Sequence, residues 1–304
     1  MAITNKLKRI LRKPGTLPSS IVKVVCDKLH RYRWSSPTLK IPSDVTLPEI
    51  ENFLIRAGIA KGSTLFLHSS WQHLNSGHFT PAGLIKLLLS IIGEEGTLVM
   101  PAFPPSILQL KPGFVFDVKR TPSGGGLLAD SFRRYAGVRR SINLNHSVCA
   151  LGPQADYLTR DHHLSNKSWD EFSPYYRLRE IEDSWTVGLG VGHRLRIATV
   201  LHCVETILSR ENAYYRKLFK DEVCYEYKTI EGETGRHCYT RRIGQLYPPK
   251  IAKYFSSEEL VEDTLQGLEA YAIRTRTLLD RAIELGRKGK TMYVWPIPWP
   301  WYFR

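Results

Sequence analysis

Residues 62–103 read GSTLFLHSSWQHLNSGHFTPAGLIKLLLSIIGEEGTLVMPAF. Two short apolar runs, "STLFLH" at 63–68 and "GTLVMPAF" at 96–103, flank a segment that Thr80-Pro81 opens and Gly93 stops. Apolar runs of that length, bounded by Gly or Pro, read as buried strands. Between them "AGLIKLLLSII" has the length, the start signal and the stop signal of a helix. Strand, helix, strand in that order predicts a parallel or mixed sheet covered by helices. Ligands of such sheets bind where loops leave the carboxyl ends of the strands. Here those exits are "HSSW" at 68–71 and "MPAFPPS" at 100–106.

The pattern continues on both sides. Thr46 followed by "LPEIENFLIRAGI" predicts an N-capped helix ending near Gly58. "GGGLLADSFRRYAG" (124–137) predicts a helix entered through three glycines, and "SVCALG" (147–152) a short buried strand. "SWTVGLGVG" (184–192) is another strand with a glycine-rich exit, followed by a helix over "ATVLHCVETILSR" (198–210). "EVCYEYKTIEGETGRHCYTRRI" (222–243) alternates and turns at Glu231–Gly235, as a β-hairpin does. From Ser256 to Gly289 the chain reads as helix. The fold class expected is α/β.

The 304 residues carry a net charge of +14, which is unevenly placed. Residues 1–40 hold ten Lys and Arg against Asp27 alone, and residues 287–304 hold four cations and no acid. The stretch 41–286 is left with 29 bases and 28 acids, a near-neutral body between two basic ends. Three regions follow: a basic arm (1–40), an α/β domain (41–286) and a basic aromatic tail (287–304). The arm mixes Leu, Ile and Val with Lys and Arg and is broken at Pro14-Gly15; the tail "TMYVWPIPWPWYFR" is rich in Trp, Tyr and Pro. Such ends suit an anionic membrane surface, or packing on the parent domain or a second subunit. With no recognised nucleic-acid module, nucleic acid is not an expected partner. No eighteen-residue apolar run and no secretory signal stand out, so a cytoplasmic protein is expected, with contact at the inner membrane face left open. Five cysteines (26, 149, 203, 224, 238), odd in number and without a C-x-x-C, predict free thiols and neither a disulfide frame nor a zinc site.

Chemistry concentrates at three places. His146 stands where the polar run "RSINLNHS" (140–147) meets the strand at 148, and imidazole suits proton removal near neutral pH. In "TVLHCVE" (199–205), Thr199, His202 and Glu205 fall at helical spacing on one face, so the carboxylate can pair with a histidine. "TPSGGGLL" (121–128) offers backbone N–H groups at a helix start, a setting suited to phosphates, although it matches neither the dinucleotide fingerprint nor the P-loop. His162-His163 lacks partners at metal spacing and is expected at the surface.

Six pieces in fixed order, "LFLHSSW", "PAGLIKLLLSIIGEEGTLVMPAF", "VFDVKRTPSGGGLLADSFRRYAGVRRS", "NHSVCALGP", "FSPYYRL" and "VGLGVGHRLRIATVLHCVE", resemble the aminoglycoside 3-N-acetyltransferase family from about residue 47 to about 210. The resemblance implies a layered α/β sandwich on a central mixed β-sheet, distinct from the GNAT fold, and acetyl-CoA as co-substrate without a metal. It implies His146 as the base that deprotonates the acceptor amine, with Glu205 or His202 holding its imidazole. It places Ser69, Ser70 and Trp71 at the thioester end and Thr121, Pro122, Ser123 and Gly125 near pantetheine and phosphates. Ser69, Ser70 or Ser147 would steady the oxyanion. Where the family commonly reads "HPTHS", this chain reads "NLNHS", with Asn143-Leu144 replacing a His-Pro pair. The expected activity is direct acetyl transfer to the amine of an amino sugar or aminocyclitol, a small-molecule acceptor, with homo-oligomerisation left open. The alternatives are O-acyl transfer to a sugar and a non-catalytic basic scaffold on an anionic membrane or polymer.

Overall fold

A computed structural model describes residues 43–109 and 111–303; the expectations for the basic arm lie outside them. Among the described residues, twelve strands form three sheets. The central one has seven, in the order β10 (Leu260–Leu265), β11 (Leu268–Arg274), β6 (Ser184–Leu189), β1 (Thr64–Ser69), β2 (Thr97–Pro101), β5 (Val148–Leu151), β4 (Arg139–Arg140). β1 runs parallel to both β2 and β6, while β11 on β6 and β5 on β2 are antiparallel, so the sheet is mixed. A second sheet joins β3 (Val115–Asp117), β7 (Phe219–Lys228) and β8 (Thr234–Arg242), and β9 (Gln245–Leu246) pairs with β12 (Tyr293–Trp295).

Strand alternation divides the core into two layers. Leu65 and Leu67 of β1, Leu98 and Met100 of β2 and Val187 of β6 point to one face, where Ile50, Phe53, Leu84 and Leu88 of helices Leu47–Arg56 and Pro81–Ile92 cover them. Phe66 and Val99 point to the other, beneath Leu178, Val204, Leu208, Leu278 and Leu279 of helices Pro174–Glu180, His202–Leu208 and Thr275–Arg287. Strands buried on both faces are apolar throughout, which is why "TLFL" and "TLVM" do not alternate in polarity. The entry signals act as read: the Glu49 carboxylate accepts the Thr46 backbone N–H at 2.8 Å, and Thr80 Oγ1 accepts the Gly83 N–H at 3.1 Å.

Gly188, in the middle of β6, lies opposite Tyr271 of β11. A Cβ there would stand 2.1 Å from the Tyr271 ring, so the ring lies flat across the glycine. The Tyr271 hydroxyl donates to the Ile197 carbonyl and ties down the loop that leads into the His202 helix.

Three expectations are corrected. Residues 256–289 are not one helix: β10 and β11 form a hairpin, and only Thr275–Arg287 is helical. The tight turn sits at Gln266-Gly267, both with positive φ (46° and 87°), and pairs Leu265 with Leu268. Cys224 and Cys238 are not free thiols but a cross-strand disulfide between β7 and β8, whereas Cys149 and Cys203 are free and buried. Glu222, Cys224 and Cys238 form the one grouping of metal-ligand residue types among the described residues, and both its sulfurs are in that disulfide. His162 is fully buried rather than superficial: its ring nitrogens meet Ser141 Oγ at 2.9 Å and the Ser168 carbonyl at 3.0 Å.

The described part of the tail packs on the body. Phe303 and Tyr302 lie 5.3 and 5.6 Å from the Tyr214 ring, while Trp301 remains exposed and stacks on Trp299. Among the described residues no helix is long and apolar enough to cross a membrane.

Candidate active site

The carboxyl ends of β1, β2 and β6 share one edge of the sheet because these strands are parallel. β5 runs the other way, with Val148 opposite Pro101, so its first residues reach the same edge. His68 arrives there on β1, His146 on the loop before β5, and His202 on the helix that follows β6.

The "NLNHS" loop is shaped locally. Asn143 Oδ1 accepts the backbone N–H groups of Asn145 (3.1 Å) and His146 (2.9 Å), an Asx turn that fixes where the histidine leaves the chain. The Tyr225 hydroxyl accepts the Leu144 N–H at 2.8 Å, and the Tyr175 hydroxyl donates to the His146 carbonyl at 2.9 Å. His146 Nδ1 is buried and has no hydrogen-bond partner among the described residues.

Glu205, fully buried, accepts from His202 Nδ1 at 2.7 Å. With its proton on Nδ1, neutral His202 keeps its Nε2 lone pair as an acceptor. Of the two groups expected to hold His146, Glu205 is bonded to the other, His202, whose ring centre is 5.7 Å from that of His146. The Trp169 indole touches both, 4.6 Å from each imidazole. His68 Nε2 accepts from the Thr199 N–H at 3.2 Å, so this third ring is also neutral and held.

Burial governs the charge states. It holds His146 and His202 well below their ordinary value, with Arg242 and, for His146, the neighbouring imidazoles adding to the effect. Burial likewise pushes His68 down to about 3 and raises Glu205 to about 7 against the opposing pull of Arg242. Arg242, at the end of β8, brings its Nε within 3.4 Å of Glu205 Oε1 and donates from Nη1 to the Tyr293 hydroxyl at 3.2 Å. Three imidazoles held neutral and a buried carboxylate beside one guanidinium thus gather at this edge of the sheet.

The other expected residues lie in different settings. Ser69 ends β1 and Ser70 precedes the short helix Trp71–Leu74, where Trp71 packs edge-on against Phe79. The Ser147 hydroxyl is committed to the Ala102 carbonyl at 2.9 Å, so it does not serve as a free oxyanion donor. The Thr121–Gly126 turn is closed on itself. Asp130 accepts the Ser123 N–H, Phe103 O the Gly124 N–H, and Ser123 Oγ the Gly125 N–H, at 2.7–3.0 Å. Thr121 Oγ1 accepts the Asp117 N–H, and Pro122 has no N–H to offer. Sequence reading missed His68, Trp169, Arg242 and Tyr293. His68 opens the quoted exit and could have been weighed there; the other three come from segments far apart in the chain.

The profile of the aminoglycoside 3-N-acetyltransferase family matches residues 66–286. Aminoglycoside N(3)-acetyltransferase IV of Salmonella is 34% identical over 159 residues, 52% of this chain and 57% of that protein, so the match spans little more than half of that relative. The crystal structure of aminoglycoside acetyltransferase AAC(3)-IVa superposes with a TM-score of 0.62 at 25% identity, covering 79% of this chain and 88% of that one. AAC-IIIb, solved as a binary complex with CoASH, gives 0.62 at 21% identity, covering 80% and 96%. The architecture is that of an α/β acetyltransferase outside the GNAT fold. The chain belongs to the aminoglycoside 3-N-acetyltransferase family.

Proposed function

We propose that this chain transfers acetyl from acetyl-CoA directly to the amine of an amino sugar or aminocyclitol. The observation that carries the reading is the buried His202–Glu205 pair at the sheet edge where ligands of such folds bind. An acceptor amine is protonated near neutral pH and must lose that proton before it attacks a thioester. His202 Nε2 accepts the proton, and Glu205, bonded to Nδ1, holds the tautomer and stabilises the imidazolium that forms. The amine nitrogen bonds to the acetyl carbon, the carbon–sulfur bond breaks, and the CoA thiolate takes up a proton. We assign the base to His202 rather than His146 because, of the two imidazoles, His202 is the one bonded to the carboxylate. His146 Nδ1, buried and unpartnered, is left for a polar group of the bound substrates. Family membership and the CoASH-bound relative support acetyl-CoA as donor.

The test mixes the full chain with acetyl-CoA and a panel of amino sugars and aminocyclitols and follows release of the CoA thiol. Turnover with at least one amine, lost in His202→Ala and only weakened in His146→Ala, is expected. Mass spectrometry of the product separates N- from O-acetylation. No thiol release with any acceptor, together with no CoA binding by calorimetry, rejects the reading.

A further inference from the structure

A cavity of about 400 Å³, open to solvent, is lined by Arg194, Lys250, Lys253 and Lys290 together with Tyr247 and Tyr254. Four cations line it and no carboxylate does. Glu262 accepts the Arg194 backbone N–H, the Arg194 guanidinium donates to the Pro249 carbonyl at 3.3 Å, and Glu284, paired with Lys288 at 2.5 Å, also feels the charge of Lys290. Among the described residues, Lys250, Lys253 and Lys290 form no salt bridge.

Like charges gathered around one hollow repel one another, and elsewhere on this molecule arginines are matched by acids, as Arg179 is by Asp280 and Arg287 by Glu211. Tyr254 holds two of the cations in place, with Lys290 Nζ 4.8 Å and Lys253 Nζ 5.1 Å from its ring centre. Lys250 Nζ donates to the Tyr293 carbonyl at 2.5 Å, while the Tyr293 hydroxyl accepts from Arg242 beside Glu205. Tyr293 thus links a lysine of the cationic cavity to the arginine beside Glu205.

We propose that this cavity is a binding subsite for a phosphate ester carried by one of the two substrates. Its ligand class rests on the acetyl-transfer reading; its existence as an anion site does not. A phosphate brings two negative charges and several acceptor oxygens to a hollow that offers ammonium and guanidinium donors from several sides.

Calorimetry on the full chain compares two pairs of ligands that differ by one phosphate: glucosamine 6-phosphate against glucosamine, and CoA against dephospho-CoA. Inorganic phosphate is the competitor. In at least one pair the phosphorylated ligand should bind about tenfold or more tightly, and Lys253→Gln/Lys290→Gln should abolish that ratio while Lys253→Arg/Lys290→Arg keeps it. Loss of the ratio for the sugar pair assigns the cavity to the acceptor, and loss for the CoA pair assigns it to the donor. Equal binding within both pairs, or a ratio unchanged in the glutamine variant with its circular dichroism intact, overturns the proposal. Phosphate-dependent binding without thiol release would instead reject the acetyl-transfer reading and leave the anion site standing.

Discussion

The helix that carries His202 and the turn at Thr121–Gly126 both set polar groups beside apolar sequence. They end differently. The turn uses its backbone N–H groups on Asp130, Phe103 and Ser123, its own neighbourhood. The helix buries a carboxylate against one nitrogen of an imidazole and leaves the other nitrogen as an acceptor. Residue type does not separate a reactive site from a well-made turn. The polar atoms left over once local structure is satisfied do.

The contrast is broken most directly at the helix. Replacing His202 with Ala should lower kcat by about 10²–10⁴-fold, the range for a lost general base, with CoA affinity by calorimetry unchanged. A variant that keeps most of its turnover would transfer the role back to His146. Glu205→Gln keeps the shape and removes the charge, and we expect a loss of about 10–100-fold, within the scope of base orientation and imidazolium stabilisation. Its pH profile sharpens the point. Burial raises Glu205 from its ordinary 4.5 to about 7, so the carboxylate behind His202 is ionised only as pH rises through that value. The kcat/KM of the native chain should rise across about pH 7, and this limb should be missing in Glu205→Gln.

Stability responds with the opposite sign. Between 4.5 and about 7 the folded chain keeps a proton that the unfolded chain has released, so Glu205 weakens the fold as pH rises through this window. Denaturant titrations of the native chain and Glu205→Gln across that range should diverge with increasing pH, the glutamine variant holding its stability better.

Gly188→Ala tests the scaffold rather than the chemistry. A methyl group 2.1 Å from the Tyr271 ring must displace it, at a cost of about 1–3 kcal/mol for an overpacked core. The midpoint of urea unfolding should fall accordingly, and the loop ending at Ile197 should lose amide protection. The smallest effect belongs to the turn. Ser123→Ala removes the acceptor for the Gly125 N–H, and the KM for acetyl-CoA should change less than about threefold if the turn is only structural, since its other local hydrogen bonds remain. A tenfold rise would make it a binding element and erase the contrast.

Much of the scaffold was legible because its signals are local. "TLFL" and "TLVM" announce strands buried on both faces, and Thr46, Thr80 and Gly93 mark helix ends that lie where they were read. The hairpin at 260–274 was hidden because Leu260, Val261, Leu265, Leu268, Ala272 and Ile273 also satisfy a helical spacing; Gln266-Gly267 was the overlooked turn. The Cys224–Cys238 pair could have been found by folding the 222–243 hairpin about residue 231, since the register that joins Tyr227 to Gly235 also sets the two cysteines opposite each other. In the site, the i,i+3 spacing of His202 and Glu205 foretold their contact. Nothing local showed that Arg242 and Tyr293 would close over the pair, because those contacts join residues tens of positions apart.

Trp169 has a consequence beyond packing. Its indole lies against the two central imidazoles, and a protonated imidazole quenches indole emission far more strongly than a neutral one. The cluster therefore carries its own optical sensor. The fluorescence lost in Trp169→Phe isolates the signal of this one ring among seven tryptophans, and its change on acidification or acceptor binding would follow the proton in the centre without any added label.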